Sequence, residues 1–216
     1  SPPASWQDGP RWVQIASAGI DSFPKWLTEG RIVTCGRGDA ATPIAEYVLS
    51  ALLHHERQVD ALHPVTPQQW TDVTAPFRQN PVTGTLYGRT LGLAGYGAIG
   101  RAIAARALAF GMRVRVFRRS AWTEVDDGIE PVSSLSELFH QADHLVLAMP
   151  LTSETRGVIN EDILRSAKEG LHLVNVARGA LVDQDALLRA LDSGRPAFAT
   201  LDVTTPEPLP AGHPLY

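Results

Sequence analysis

Apolar and polar positions along this chain switch between two rhythms, and the switches divide it into alternating strands and helices. The order is clearest over residues 90–120. Leu91 and Leu93 lie in a short apolar run that stops at Gly95, as a strand entering a turn does. Ile99, Ile103, Ala107 and Phe110 then recur at helical spacing, which predicts a helix burying that face on a sheet and closing at Gly111. Met112, Val114 and Val116 alternate with Arg113 and Arg115, the period of a second strand. Further on, DHLVLAMP (143–150) and LHLVNVARG (171–179) are nearly continuous apolar runs, as buried parallel strands are. AFATLDV (197–203) reads as one more strand. Ser134 with Glu137 makes a capping box for a helix over 134–141, and Asn160 and Asp183 can cap helices reaching residues 167 and 194. Strands alternating with helices predict an α/β fold with a doubly wound parallel sheet.

Upstream, RWVQIASAGID (11–21) and RIVTCG (31–36) read as two short strands, the first ending in a small-residue turn at Ser17, Ala18 and Gly19. Thr42 as N-cap and Pro43 in the first helical position open a long helix over 42–62. Its Ile44, Ala45, Tyr47, Val48, Leu49, Ala51, Leu52 and Leu53 leave almost no polar face, which predicts burial on more than one side, between domains or subunits. Residues 1–10 read as a loop, and residues 64–81, punctuated by tryptophan and proline, as a connection. We therefore expect residues 1–41 to be part of a second domain and residues 42–216 to form the main one, short of its C-terminal end.

Composition narrows the setting. With 216 residues, 44% hydrophobic and 19% charged, the chain can bury a sizeable core. A net charge of -4 and arginines in small groups give no nucleic-acid surface, and no apolar run is long enough to cross a bilayer. Cys35 is the only cysteine, so an internal disulfide and a cysteine-rich metal site are excluded, no metal is expected, and a cytoplasmic setting is the default.

The chemistry begins at the first turn of the doubly wound unit. Gly95, Gly97 and Gly100 give the spacing G-x-G-x-x-G between a strand and a helix, spelled Gly95-Tyr96-Gly97-Ala98-Ile99-Gly100. The three glycines serve a tight turn, close approach of the backbone to a pyrophosphate, and close helix packing. The helix start adds unpaired N–H groups and the positive end of its dipole. A dinucleotide cofactor is therefore expected. NAD-binding versions place an acid after the second strand to hold the ribose 2′-OH, but this strand runs into Arg118, Arg119 and Ser120. Two guanidiniums and a hydroxyl suit a 2′-phosphate, so NADP(H) is favoured over NAD(H).

Ligands of such a sheet bind beyond the carboxyl ends of its strands, where three further groups fall. Arg178, followed by Gly179, could hold a substrate carboxylate bidentately. Asp202 ends a strand, and Glu207, between Pro206 and Pro208, could pair with a histidine serving as acid and base. Pattern alone leaves plainer roles open: a surface ion pair for Arg178, a turn former in Asp202, a solvated loop charge in Glu207.

The blocks GYGAIG, MPLTSETRGVIN (149–160), LVNVARGALVD (173–183) and LDVTTPEPLPAGHPLY (201–216), with SAGID (17–21) and PIAEYVLSALL (43–53), resemble the D-isomer-specific 2-hydroxyacid dehydrogenase family in that family's order. The Arg-Arg-Ser ending of the second strand resembles its NADPH-preferring glyoxylate and hydroxypyruvate reductase branch. The resemblance implies an oxidoreductase passing hydride between NADP(H) and a small 2-oxo or 2-hydroxy acid. It implies that Arg178 binds the substrate, that Glu207 supports the acid/base histidine, and that Asp202 lies near the nicotinamide carboxamide. It places Ala18 and Gly19 against the substrate carboxylate, Pro150 and Thr155 along the adenosine and phosphates, and Val176 and Ala177 along the nicotinamide. The helix from Thr42 corresponds to a subunit-contact helix, so a homodimer is implied. The family's histidine follows one more strand, in a T-P-H type segment beyond the H-P-L-Y stretch, so this sequence is expected to be part of a longer protein, with His213 not the proton donor. The alternative on the same fold is an NAD(H)-sensing dimeric corepressor; the Arg-Arg-Ser ending argues against it.

Overall fold

The computed structural model describes residues 6, 9–20, 23–58, 64–79 and 84–216. Most of the expected opening loop, Asp21 and the end of the long helix past residue 58 lie outside them. Six strands make one all-parallel sheet: β3 (Thr90–Ala94), β4 (Arg113–Phe117), β5 (Ile129–Pro131), β6 (His144–Leu147), β7 (His172–Asn175) and β8 (Phe198–Leu201). Their order is β5-β4-β3-β6-β7-β8. The chain thus winds outward from β3 in one direction and then from β6 in the other, the dinucleotide-binding order with its switch point between β3 and β6. A separate two-stranded parallel sheet pairs β1 (Trp12–Ile15) with β2 (Ile32–Cys35). The first expected strand therefore ends at Ile15, and the small residues after it form the turn.

Side-chain alternation sends each strand's residues into two cores. Leu91, Leu93, Val114, Val116, Val146 and Val174 face α2 (Ala41–Arg57) and α4 (Ala98–Ala109). Ala94, Leu145, Leu147 and Leu173 face the opposite side, with α5 (Leu135–Gln141), α6 (Glu161–Arg165) and α7 (Gln184–Asp192). Gly92 belongs to the second face, where a β-carbon would lie 3.0 Å from Ala142 Cβ and 3.1 Å from Leu138 Cγ. The expected caps are present: Ser134, Asn160 and Asp183 accept the N–H groups of Glu137, Ile163 and Ala186. The reciprocal arm of the capping box is displaced by one residue, since Glu137 accepts from the N–H and hydroxyl of Ser133.

Four expectations are corrected. The cap of α2 is Ala40, which offers no side chain, and Thr42 lies inside the helix. Of the apolar stretch in α2, Ala45, Val48, Leu49 and Leu52 are buried while Tyr47 stays 41% exposed, so within this chain the helix buries one face, against α4. Phe110, placed by its spacing on the buried face of α4, is 45% exposed because the helix ends at Ala109 and Phe110 is its C-cap. Residues 64–81 hold a helix, α3 (Pro67–Gln79), where a connection was expected; α1 (Lys25–Thr28) is a single turn.

Candidate cofactor and active site

Gly95 is the point at which three strand ends meet. Its N–H donates to Phe117 O at 2.9 Å at the end of β4, and just past β6 the Ala148 N–H donates to Ala94 O at 2.8 Å. With φ of +111° and a β-carbon position only 2.6 Å from Ala148 O, residue 95 has to be glycine. A β-carbon at Gly100 would lie 2.4 Å from Gly95 O, so this glycine lets α4 start directly behind the turn. Gly97 differs from both: a β-carbon there would meet nothing within 4 Å. It is the N-cap of α4 and makes no side-chain cap, so open space lies against uncapped helix amides, with Ala98 exposed and Ile99 half-buried. An anion is bound well in such a place, and the pyrophosphate of a dinucleotide fits it. The Tyr96 side chain points inward, its hydroxyl donating to Asp126 Oδ2 at 2.7 Å. Burial and that carboxylate push the phenol up to about 12, leaving the Tyr96 backbone to serve the ligand.

Because Gly95 bonds to Phe117, the residues after β4 start beside the glycine turn. Arg118 donates to Ser120 Oγ through Nε at 2.9 Å and Nη2 at 2.7 Å. Arg119 pairs with Glu154 from the loop after β6. In that loop Thr155 Oγ1 donates to Pro150 O at 2.8 Å and accepts from Thr152 N at 2.7 Å, which fixes its course. Trp122 and Asp126 lie in no motif, and Glu154 lies in the 149–160 block without a role assigned to it; their partners lie up to 35 positions away.

The third group gathers where β7 and β8 end. Asn175 ties the turn after β7, accepting from Ala177 N and donating to Arg178 O, each at 3.0 Å. Val176 is buried and Ala177 half-buried. Arg178 is half-buried and donates through Nη1 to Ala177 O at 2.7 Å. A β-carbon on Gly179 would be 2.1 Å from the carbonyl carbon of Thr204, so the segments bearing Arg178 and Asp202 are in direct backbone contact. Asp202 N donates to Asn175 O at 3.0 Å, and Thr205 N donates to Gln184 Oε1 at 2.8 Å. Asp202 and Glu207 are exposed on this pinned segment. Burial and the Asp202 charge push the Tyr47 phenol of α2 up. His213 accepts from Leu215 N through Nδ1 at 3.3 Å. Ala18 and Gly19 lie in the turn after β1, on the small sheet, where Ser17 Oγ donates to Gly19 O at 2.8 Å. Gly38, before α2, comes 3.7 Å from Ala98 Cβ as judged from its β-carbon position, so the small sheet's outgoing loop borders the α4 start. Among the described residues no group of histidine, cysteine or carboxylate side chains could hold a metal, and no helix is long and apolar enough to cross a membrane.

At the opposite, amino-terminal ends of the strands lies a cluster that sequence reading missed. His144 Nε2 is 3.1 Å from Glu56 Oε1, His144 Nδ1 is 3.2 Å from His172 Nδ1, and His172 Nε2 is 2.8 Å from Thr200 Oγ1. A carboxylate only accepts, so His144 donates from Nε2; its Nδ1 then accepts from His172, whose Nε2 accepts the Thr200 hydroxyl. His55 stacks on His172 with ring centroids 4.3 Å apart, and Arg89 pairs with Glu56 at 3.2 Å. Burial, with the neighbouring imidazoles His55 and His144, holds His172 down to about 3.

The sheet order and the glycine turn define a dinucleotide-binding protein of the doubly wound class. Residues 49–216 match the family D-isomer specific 2-hydroxyacid dehydrogenase, NAD binding domain, and the chain belongs to that family. It is 46% identical over 124 residues to a glyoxylate reductase of Thermococcus kodakarensis, covering 57% of this chain and 37% of the relative. To a D-3-phosphoglycerate dehydrogenase of Bacillus subtilis it is 39% identical over 202 residues, covering 91% of this chain and 37% of the relative. The crystal structure of a D-isomer specific 2-hydroxyacid dehydrogenase from Xanthobacter autotrophicus Py2, in complex with NADPH and MES, superposes with a TM-score of 0.79 at 29% identity. That comparison covers 99% of this chain and 68% of the other. The chain thus spans little more than a third of the length of the first two relatives.

Proposed function

We propose that the protein carrying this chain is an NADP(H)-preferring oxidoreductase that passes a hydride between the nicotinamide and C2 of a small 2-oxo or 2-hydroxy acid such as glyoxylate or hydroxypyruvate. The observation that carries this reading is the grouping of the glycine turn, the Arg118–Ser120 pair and Arg178 beyond the carboxyl ends of β3, β4 and β7. When bound, the cofactor supplies the hydride; the chain's residues hold both reactants. Gly97 and the α4 amides receive the pyrophosphate, Arg118, Arg119 and Ser120 the 2′-phosphate, and Val176, Ala177 and Asp202 the nicotinamide side. Arg178 grips the acid's carboxylate and polarises its C2 oxygen, helped by the backbone of Ala18 and Gly19. Glu207 orients and charges the acid/base histidine, in the segment expected beyond Tyr216. Residues 1–41 then supply one wall of a substrate domain. The exposed side of α2 serves a homodimer, where a groove of about 580 Å³ runs along Leu49, Leu53, Arg106 and Phe110. The single, half-buried thiol of Cys35 suits a reducing cytoplasm.

Replacing Arg178 with Ala in the full-length protein is expected to lower kcat/KM for glyoxylate by about two to four orders of magnitude, the cost of a transition-state contact. Cofactor affinity should stay near that of the parent. Turnover within a few fold of the parent would defeat the assignment.

A further inference from the structure

Trp122 has no task in the reading above, yet it lies in the middle of an unbroken series of contacts. The Arg118 guanidinium carbon is 5.0 Å from the centroid of its ring. On another side the Tyr96 ring is 5.4 Å away at a tilt of 45°. Tyr96 is backed by Arg101, 4.6 Å from its centroid, and both Tyr96 and Arg101 bond to Asp126. The series therefore runs from the glycine turn, through two aromatic rings, to the first residue after β4.

A guanidinium resting on an aromatic face loses rotational freedom while its edge keeps its donors. In Arg118 that edge, Nε and Nη2, is directed at Ser120 Oγ. With its oxygen accepting twice, the Ser120 hydroxyl is left to donate its proton outward. A phosphate arriving there meets a cation and a hydroxyl already fixed in place. Arg119 is held otherwise: its side chain is 65% exposed and pairs with a Glu154 that is 71% exposed, and exposed pairs of this kind restrain an arm weakly. The two adjacent arginines are thus unequally prepared.

We propose that Trp122 is the positioning residue for the 2′-phosphate, braced by the Tyr96 side chain of the glycine turn and holding Arg118 on its own ring, so that the preference for the phosphorylated cofactor is built in before binding. The proposal rests on the NADP(H) reading of the site and names what enforces it. Calorimetric titration of the purified protein with NADPH and with NADH separates the two. Parent protein that binds both equally would remove the NADP(H) reading and this proposal with it. Given a parent that prefers NADPH, Trp122→Leu is expected to weaken NADPH about five- to tenfold, the size of a partly desolvated cation–π contact. Its affinity for NADH should move less than about twofold, and Trp122→Phe, which keeps a ring under the guanidinium, should recover most of the preference. An unchanged ratio in Trp122→Leu, or equal weakening of both cofactors, would overturn the role of Trp122 and leave the cofactor reading standing. If Trp122→Leu does not fold, Arg118→Lys decides, since it keeps the charge without the planar stack; retained preference there would equally overturn the proposal.

Discussion

A methyl group at Gly179 would overlap the backbone of Thr204, with 2.1 Å to its carbonyl carbon and 2.2 Å to its oxygen. Neither atom is the end of a flexible side chain, so the strain passes into the segments holding Arg178 and Asp202. Gly179→Ala is accordingly expected to cost about 1–3 kcal/mol in urea unfolding, the range for overpacking, and to impair substrate turnover more than cofactor binding. Equal stability to the parent would show that the two strand ends are less closely apposed. Glycines that the turn requires, by crowding at residues 95 and 100 and by open space at residue 97, could be read from the sequence. Gly95, Gly97 and Gly100 betray themselves by spacing, and Arg178 by the glycine behind it. Glu154, His144 and His172 could not be, because what places them is a partner dozens of residues distant, and Trp122, though only four residues from Arg118, belongs to no motif that marks the pairing.

Among the elements, α3 shows how punctuation misleads. Tryptophan and prolines over residues 64–81 suggested a connection, yet Thr66 Oγ1 accepts from Gln69 N at 3.2 Å while Gln69 Oε1 accepts from the N–H groups of Thr66 at 3.1 Å and Val65 at 2.9 Å. Thr-x-x-Gln is a capping box, and Pro67 occupies the first helical position, where its missing N–H costs nothing. Both were present in the sequence and outweigh the proline count. Since residues 66–72 are exposed, little else secures this end. Thr66→Ala is expected to loosen the first turn by about 1 kcal/mol, seen as faster amide exchange in α3 with the global melting temperature nearly unchanged. Most strands of the large sheet and α4 were legible from their apolar periodicity, and α5, α6 and α7 from the caps Ser134, Asn160 and Asp183. In contrast, β5 is three residues long and α2 is apolar on a side that this chain alone does not cover, and periodicity cannot distinguish that from a core.

Across the whole molecule, the parallel sheet separates two kinds of polar chemistry, with the cofactor turns at one end and the histidine cluster at the other. His172 is neutral when folded, its pKa held at about 3, whereas the unfolded chain takes up that proton near pH 6.5. Its contribution to stability is therefore intact above about pH 6.5 and declines as the pH falls toward 3, by about 1.4 kcal/mol per unit within that window. The Glu56 carboxylate adds to the decline at its lower end: burial works to raise it, but the His144 hydrogen bond and the Arg89 charge prevail and hold it low. Urea unfolding at pH 7 and pH 5 should show this loss, and His172→Asn should flatten it; an equally steep loss in that variant would place the acid sensitivity elsewhere. The overall winding was legible from strand and helix alternation. Its floor was not, for it depends on which side chains the finished sheet brings side by side. The knot at Gly95 carries a last implication. All three of its sides are occupied, by Phe117, Ala148 and Gly100, so the turn that presents Gly97 and the α4 amides tolerates almost no change at residue 95. A side chain at that one position would prise β3, β4 and β6 apart together, so the smallest residue in the chain is the keystone of its sheet.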